Sequence, residues 1–417
     1  MISYQNSIQI LNKGRLKIKN ENVLSTKSLN RVSSSNIYSK FNYPAGNNAA
    51  FDGYAINSID TKNLNRLKPK AFKIIGSISA GDKPFKKKIK KFEAVEIMTG
   101  GIIPKGFNTI IPIERINFYP NKKVRKFIMI NKKIIKYDNV RFLGSDYKKG
   151  ELVIQKNTII LPNHILALKT LGIKNIKVKK KINILFFSTG NEISNKDIIA
   201  NWKVRNSNSH YIKSLNNNFL FNFKYGGILK DNHRNIFKSK IKKVLNSKID
   251  IVITSGAVSA GKFDYIPSVV KTLNLSHFFR SVAIRPGKPI LFAKVQGKQK
   301  AIFGLPGNPM SSTACFRFFV YPYISNLLGL KVEKPVKAIL KNDFLKKKKF
   351  TRFVKCKLNT TKDGKIEVHI LKGQESFRIK SFVKSNIWAL LPAGKSKFKK
   401  GEIIDCFFPN HPNQSLI

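Results

Sequence analysis

Between residues 182 and 329, apolar runs of strand length alternate with amphipathic segments of helical length. The runs most typical of buried strands cover residues 182–187, 223–229, 251–254 and 301–305. The segments that fit helices cover residues 207–215, 233–245 and 311–327. This alternation predicts a doubly wound α/β domain with a parallel sheet, in which ligands bind beyond the carboxyl ends of the strands.

The rest of the chain predicts further units. Short β-rich runs between Gly and Pro turns fill much of the first third, and a second β-rich stretch occupies the C-terminal end. A helix is expected over residues 163–171, ended by Gly172. We therefore expect a multi-domain α/β protein of 417 residues with these parts: a mixed linker or dimerisation domain (1–40 and 136–178), a β-rich module inserted into it (41–135), the doubly wound α/β domain (179–329) and a C-terminal β-barrel-like domain (330–417).

The chain is strongly basic, with 79 Lys and Arg against 22 Asp and Glu and a formal net charge of +57. Such a charge is typical of proteins that bind nucleic acids through their phosphates. Here the lysines accompany many Asn and Ile along the whole chain, without a nucleic-acid recognition motif, so a general drift in composition is the better interpretation. In this background the few carboxylates within motifs stand out as candidates: Asp52, Glu96, Glu114, Glu192, Asp231 and Asp264.

Cysteine and histidine spacing gives no sign of a metal centre. The three cysteines are far apart, and the six histidines have no ligand spacing, which predicts neither a disulfide framework nor a zinc site. The first residues lack the pattern of a signal peptide, and the longest apolar runs are too short to span a bilayer. We expect a cytoplasmic protein without a membrane partner.

Short motifs with chemical potential follow the predicted strands of the α/β domain. The motif STGNE offers Ser188, Thr189 and Gly190 as donors to a phosphate or a pterin, and Glu192 as a ligand of a divalent cation. The motif TSGAVSAGKFDY lacks the GK[ST] ending of a P-loop, which argues against a P-loop NTPase. Its candidates for phosphate and Mg²⁺ contacts are Ser255, Gly256, Ser259, Gly261 and Asp264.

Two further motifs in this segment fit anion binding. In RPGKP, Arg285 and Lys288 lie on either side of a rigid Pro-Gly turn, an arrangement suited to gripping a phosphate or another oxyanion. The motif GLPGNPMSS leads from a strand into the start of a helix, where backbone N–H groups are free to bind an anion. Its candidate contacts are Pro306, Gly307, Asn308 and Ser311.

The β-rich module carries a lone carboxylate, Asp52, beside Gly53, and a Thr99-Gly100-Gly101 turn after a strand. Local chemistry alone favours a simple turn at Asp52-Gly53. The order of all the motifs changes this interpretation.

Taken in sequence, DGYA, AGDKP, MTGGIIPKG, STGNE, NSNSHYI, SGAVSAGKFDY, RPGKP and LPGNP resemble the molybdopterin molybdenumtransferase family, of the MoeA or gephyrin E-domain type, over residues 23–322. The resemblance implies an elongated homodimer that inserts molybdate into adenylated molybdopterin with Mg²⁺ and releases AMP. It also implies contacts with the adenylyltransferase and with proteins of molybdoenzyme maturation.

Residues and resemblance together give a set of candidate sites. The catalytic candidates are Asp52, Thr99, Glu192, Asp231, Asp264 and Lys288, with Glu192 and Asp264 as the Mg²⁺ ligands. The substrate-binding candidates are Ser188, Thr189, Gly190, Ser207, Ser255, Gly256, Gly261, Arg285, Pro306, Gly307, Asn308, Ser311, Arg352, Ser376 and Ser381.

The chain departs from the family's motifs at several positions. Ala257 stands where SGGVS has its second glycine, and we expect it to be tolerated only at negative φ. STGNE has one carboxylate where the family's STGDE has two. The other departures are Asn47, Ala49, Glu375, Phe377 and Lys380.

Two alternative functions stay open from the sequence. The related adenylyltransferase shares the α/β domain, although the extra β-rich parts disfavour it. A non-catalytic scaffold or basic binding protein would instead show steep salt dependence of nucleic-acid binding. The sequence leaves open whether the oxyanion is molybdate or tungstate, and which subunit supplies Asp52.

Overall fold

A computed structural model describes residues 1–215, 220–259, 261 and 264–409 of the chain. Part of the motif at residues 255–265 and His411 lie outside the described residues. Among the helices in the described ranges, none is both long and apolar enough to cross a membrane.

The first 179 residues contain two folding units: the β-rich module, and the segments of chain that come before and after it. Their elements are α1 (Tyr4–Lys13), β1 (Asn20–Leu24), β2 (Ile37–Tyr38), β3 (Asn48–Ala49), β4 (Gly53–Ile56), β5 (Lys70–Ile78), β6 (Glu93–Ile97), β7 (Thr109–Pro112), β8 (Asn117–Pro120), β9 (Arg125–Ile130), β10 (Val140–Arg141), β11 (Leu152–Ile154), α2 (Pro162–Thr170) and β12 (Asn175–Lys179), with 3₁₀ turns at Ser25–Lys27, Ser58–Thr61 and Ile113–Arg115.

Strand pairing joins the segments on either side of the β-rich module. β1 pairs antiparallel with β12, and β2 pairs antiparallel with β11. The predicted helix at 163–171 is α2, which begins at Pro162, where proline is favoured, and is followed by Gly172 at φ +65°. Leu168 of α2 and Val178 of β12 belong to one buried core.

The β-rich module is one six-stranded sheet with strand order β7-β4-β6-β5-β9-β8. All four residues of β4 are buried, because this strand lies between β6 and β7 and both of its faces are covered. Tyr54 and Ile56 face one apolar cluster, whereas Ala55 faces another. The sheet therefore holds the residues next to Asp52 rigidly.

The α/β domain follows the predicted alternation of strands and helices. Its elements are β13 (Ile182–Thr189), β14 (Ile193–Ser194), β15 (Val204–Arg205), α3 (Ser207–Ser214), β16 (Phe221–Leu229), α4 (Arg234–Leu245), β17 (Ile251–Ser255), α5 (Ile266–Lys271), β18 (Leu275–Arg280), β19 (Ile284–Arg285), β20 (Leu291–Val295), β21 (Ala301–Leu305), α6 (Pro309–Cys315) and α7 (Tyr321–Leu327), with a π-helical turn at Phe316–Val320 between the last two.

The main sheet of this domain has strand order β16-β13-β17-β21-β20-β18. β16, β13, β17 and β21 are parallel, as predicted, whereas β20 runs antiparallel to both of its neighbours. The predicted parallel sheet therefore holds for the four strands named from the sequence, and β20 is an antiparallel addition to it. The cause is the short connection from Val295 to Ala301, which allows a hairpin but is too short for a crossover helix.

Both faces of the sheet are covered by helices. Along β13, Ile184 and Phe186 pack into one buried cluster, and Leu185 and Phe187 pack into the other. This alternation follows from the two-residue period of a strand. Because both faces are covered, the open edge at the carboxyl ends of the parallel strands is where loops can form a site.

The C-terminal part forms a closed barrel. Its elements are β22 (Val336–Leu340), β23 (Phe344–Leu345), β24 (Thr351–Thr360), β25 (Ile366–Ile370), α8 (Lys380–Lys384), β26 (Ile387–Leu391), β27 (Lys397–Phe398) and β28 (Ile403–Phe407). Five strands close in the order β24-β25-β22-β28-β26 and back to β24. Cys356 and Cys406 are buried in its core as free thiols, as is Cys315 in the α/β domain.

The barrel packs directly against the α/β domain. β19, in the RPGKP segment, pairs in parallel with β24 of the barrel, so that Ile284 lies opposite Thr351 and Arg285 opposite Arg352. Phe318, in the π-helical turn, stacks on Phe353 of β24 with ring centroids 4.0 Å apart. The barrel thereby forms one wall of the site described next.

Candidate functional site

The STGNE loop follows β13 at the carboxyl edge of the sheet. Ser188 Oγ donates to Asn206 Oδ1 at 2.7 Å, and Thr189 Oγ1 donates to the Ser255 carbonyl at 2.9 Å. The N–H of Gly190 donates to the Leu229 carbonyl at 2.9 Å. These donors were expected to bind a ligand. Within the protein they bond to neighbouring groups, because β13 is a central strand and its last residues lie between β16 and β17. Their contact with a ligand stays a prediction.

The glycine of the next loop permits a close approach to β13. Gly256 has φ +102°, and a side chain there would overlap Thr189. Ala257, which follows it, also has a positive φ of +53°. The expectation of negative φ at Ala257 is therefore wrong, and the loop keeps its left-handed conformation at a cost of about 1–2 kcal/mol for a non-glycine residue.

Asn208, near the start of α3, links two of the ligand-side loops. Its Nδ2 donates to Ser255 Oγ at 2.6 Å and to the Gly307 carbonyl at 2.8 Å. Ser255 Oγ also donates to the Pro306 carbonyl at 3.3 Å. Sequence reasoning named Ser207 in this motif, but Ser207 is exposed at the helix start. The NSNSHYI motif was the signal that could have identified Asn208.

The acidic candidates of the α/β domain lie on adjoining loops. Asn191 Oδ1 accepts the N–H of Asp231 at 3.2 Å, which ties the loop of Glu192 to the loop after β16. Burial, with the charge of Asp231 as a second cause, raises the pKa of Tyr265 to about 12. Tyr265 directly follows Asp264, so the loops carrying Asp231 and Asp264 also adjoin.

The possible metal ligands are few. Asp264 Oδ2 accepts the N–H of Gly261 at 2.8 Å, and Glu192 is exposed. Among the residues that the structure describes, no group of three or more His, Cys, Asp or Glu side chains could hold a metal ion. Mg²⁺ usually keeps several waters and is bound through one or two carboxylates together with substrate phosphates.

The RPGKP turn presents exposed cationic side chains next to the barrel. Arg285 and Lys288 are both exposed, and the Arg285 guanidinium lies 4.8 Å from the centre of the Phe350 ring. Arg352 is the register partner of Arg285 across the β19–β24 pair. Parallel pairing thus places two guanidinium-bearing residues side by side.

Arg352 is half-buried and incompletely bonded. Within the described part of the chain, its Nε atom is buried and has no hydrogen-bond partner. Burial, followed by the charge of Arg285, lowers the pKa of Arg352. A buried donor without a partner is costly, so this Nε is available to a bound water or to a ligand. The chemistry of the pair points to an oxyanion, which guanidinium groups bind well.

The loop before α8 brings a hydroxyl to this place. Asn308 Nδ2 donates to Ser376 Oγ at 3.1 Å, which joins the LPGNP turn to the barrel. Ser381 is buried, and its hydroxyl donates to the Gly373 carbonyl at 2.6 Å, so it shapes the loop from inside. Ser311 is also buried, in the first turn of α6.

Asp52 and Thr99 form a pair in the β-rich module. Asp52 Oδ1 accepts the Thr99 N–H at 2.6 Å and the Thr99 hydroxyl at 2.7 Å. These two hydrogen bonds, the backbone one first, hold the pKa of Asp52 below its usual range. Gly53 lies against the Ile111 carbonyl, where no side chain fits. Asp52 therefore lies in a bend directly before β4, with its carboxylate fixed on Thr99.

Comparison with protein families covers the chain in three pieces. Residues 2–172 match the MoeA N-terminal region (domain I and II), residues 186–326 match a probable molybdopterin binding domain, and residues 337–407 match the MoeA C-terminal region (domain IV).

Individual relatives agree with these matches. The chain is 32% identical to a molybdopterin molybdenumtransferase from Staphylococcus epidermidis over 409 residues, covering 97% of this chain and 94% of that protein. A Staphylococcus aureus protein of the same name is 32% identical, with 91% and 88% covered. A crystal structure of the molybdopterin biosynthesis MoeA protein from Pyrococcus horikoshii superposes with a TM-score of 0.83 at 26% identity, covering 99% of this chain and all of that one. The chain belongs to the MoeA family of molybdopterin molybdenumtransferases.

Proposed function

We propose that this protein inserts molybdenum from molybdate into adenylated molybdopterin and releases AMP. Family membership and the name of its relatives support this transferase function. The structural observation that carries the proposal is the Arg285–Arg352 pair, with its unbonded Nε, beside the glycine loops of the sheet edge.

The substrate would lie along the carboxyl edge of the sheet. Its phosphates fit the glycine loops at Gly256 and Gly307, where backbones approach closely and Asn208 holds both loops in place. Arg285 and Lys288 would bind the oxyanion, with Arg352 behind them. Two positive side chains next to a desolvated guanidinium favour a dianion over a neutral ligand.

Mg²⁺ fits the donors present at this edge. Glu192 and Asp264 supply carboxylate oxygens, which Mg²⁺ prefers, and substrate phosphates complete its coordination in sites of this kind. When bound, Mg²⁺ neutralises phosphate charge during cleavage of the phosphoanhydride. The role of these two side chains is to hold the cation next to the phosphates, and Asp231 adds negative charge nearby.

Asp52 would act on the same substrate from a second subunit of a homodimer. Its carboxylate is exposed, and the hydrogen bonds from Thr99 favour the ionised form. An exposed and ionised carboxylate suits a group that contacts the substrate of another subunit. The residues at 1–40 and 136–178 would form the linker and dimerisation domain, with 41–135, 179–329 and 330–417 as the other domains. We place the enzyme in the cytoplasm, where its adenylated substrate and its maturation partners would be found.

The test is molybdate-dependent release of AMP by the purified full-length protein. We expect AMP to form from adenylated molybdopterin when molybdate is added, and Arg352→Met to raise the KM for molybdate. The conservative Arg352→Lys should recover only part of the loss, because lysine lacks the planar fork. Consumption of ATP without molybdate dependence would instead indicate an adenylyltransferase, and DNA binding with a steep salt dependence and no AMP release would indicate a basic binding protein.

A further inference from the structure

A buried lysine lies beneath the loop that carries Ser376. Lys355, in β24, is only 2% exposed. Its Nζ donates to the carbonyl of Gly373 at 2.8 Å and to that of Arg378 at 3.0 Å, and it lies 3.4 Å from the carbonyl of Glu375. One ammonium group therefore forms hydrogen bonds with carbonyls on both sides of Ser376 in this loop.

Other bonds fasten the same loop to the same residue. The N–H of Lys355 donates to Gln374 Oε1 at 3.0 Å, and Gln374 Nε2 donates to the Lys355 carbonyl at 2.8 Å. Ser381 Oγ shares the Gly373 carbonyl with the ammonium group. The loop from 371 to 381 is thus attached to β24 through Lys355 in particular.

A buried ammonium group is expensive unless it is bonded, and an apolar side chain would serve a barrel strand better. Lys355 is also close enough to Arg352 for their charges to repel, although the attraction of Glu375 for Lys355 is stronger than this repulsion. Positive charge is therefore concentrated behind the oxyanion site at a cost in stability.

We propose that Lys355 is a positioning residue of the oxyanion site. Its ammonium holds residues 373–381 in the conformation in which Ser376 meets Asn308, and it strengthens the positive field behind Arg352. This inference rests on the proposed function and identifies a group of that site that does not itself touch the substrate.

The charge of Lys355 is sensitive to pH in a useful range. Burial, with Arg352 as a further cause, lowers the pKa of Lys355 to about 8. The charged groups around it are Arg352 on its own strand, Glu375 and Arg378 on the loop, and Arg285 across β19, with Lys346 next to Arg352. The ammonium is present below about pH 8 and is lost as the pH rises through that value.

The experiment measures the KM for molybdate and for adenylated molybdopterin in the AMP-release assay with the full-length protein. For Lys355→Met we expect the KM for molybdate to rise about tenfold or more, with the other KM unchanged, since a lost charge-assisted hydrogen bond has an effect of this size. In the wild type, the KM for molybdate should rise as the pH passes about 8. In Lys355→Arg, whose side chain stays charged, the KM for molybdate should not rise as the pH passes about 8.

Lys300→Met is the matched control. Its Nζ donates to the carbonyls of Ser247 and Ile249, and it precedes β21 at the opposite edge of the sheet. This variant should lose stability without a change in either KM.

The outcomes separate the two proposals. If the wild type releases no AMP in response to molybdate, the proposed function is wrong. If the wild type is active but Lys355→Met has the wild-type KM for molybdate, only the positioning role is wrong. The same holds if both KM values rise in this variant together with a fall in its melting temperature. Should Lys355→Met fail to fold, persistence of the pH step in Lys355→Arg would overturn the role of the ammonium.

Discussion

Arg317 and Glu333 form a bifurcated ion pair at the junction of the α/β domain and the barrel. Arg317 Nη2 donates to both carboxylate oxygens of Glu333, at 2.6 and 2.7 Å, and its Nε donates to the Phe408 carbonyl at 2.6 Å. The two side chains are only 4% and 17% exposed. This contact connects the π-helical turn, the segment between α7 and β22, and the end of the barrel.

Arg317→Leu should destabilise the protein by about 3–5 kcal/mol, because it leaves the Glu333 carboxylate buried without a partner. Loss of this junction should also raise the KM for molybdate, since Arg352 and Ser376 reach the site from the barrel. Calorimetry and the AMP-release assay measure the two effects. The exposed pair Lys337–Asp405 is the control, and Lys337→Ala should change stability by less than about 1 kcal/mol. Equal effects of the two substitutions would contradict this prediction.

Asn208→Ala should raise the KM for adenylated molybdopterin and leave the KM for molybdate unchanged. The substitution removes the bridge between Ser255 and Gly307 and leaves their polar atoms without that donor, at a cost of about 1–3 kcal/mol. Steady-state kinetics with each substrate varied in turn measures the split. Ser214→Ala, at an exposed position at the other end of α3, is expected to behave like the wild type. A rise in the KM for molybdate alone would show that these loops do not hold the phosphates.

Ala257→Gly should stabilise the protein by about 0.5–1 kcal/mol. At φ +53° the alanine is strained, and glycine relieves that strain while adding some entropy to the unfolded chain. The urea midpoint should increase with an unchanged slope. Ala293→Gly, at a buried position within β20, should lower the midpoint. A decrease at both positions would mean that the loop is not strained.

Thr99→Val should raise the pKa of Asp52 towards its ordinary value. The hydroxyl that bonds the carboxylate is lost, whereas the backbone N–H of residue 99 remains. Because the folded-state pKa of Asp52 is depressed, its stabilising contribution is present above the ordinary pKa and is lost as the pH falls through the folded value. Carbon-13 NMR of the carboxyl group against pH measures the shift. Thr99→Ser keeps the hydroxyl and should titrate like the wild type; an unchanged midpoint in Thr99→Val would contradict the role of the hydroxyl.

Sequence patterns correctly predicted that several motifs meet at one edge of the sheet. The strands before STGNE, TSGAVSAGKFDY and LPGNP are parallel neighbours, so motifs far apart in sequence had to meet at one edge. The pattern could not show that β20 reverses direction, because an apolar run has no direction of its own. Nor could it show that the hydroxyls of Ser188 and Thr189 donate hydrogen bonds to groups of the protein itself.

The side chains that sequence reasoning missed share one cause. Lys355 is a single lysine in a chain with 79 basic residues, and nothing local distinguishes it from an exposed one. Its importance comes from burial by a loop that lies some 20 residues further along the chain. Asn208 was missed for the same reason, because its partner Ser255 ends β17 and its partner Gly307 follows β21, both much later in the sequence.

The two-residue strand β19 gives the proposed oxyanion site a further property. Thr351 donates its N–H to the Ala283 carbonyl at 3.0 Å, so the backbone of the RPGKP segment is part of the barrel's hydrogen bonding. Any opening between barrel and α/β domain must break this short ladder and separate Arg285 from Arg352. Deuterium uptake at the amide of Thr351 should therefore report on whether the proposed anion site is assembled, and a bound oxyanion should slow that uptake by cross-linking the two halves.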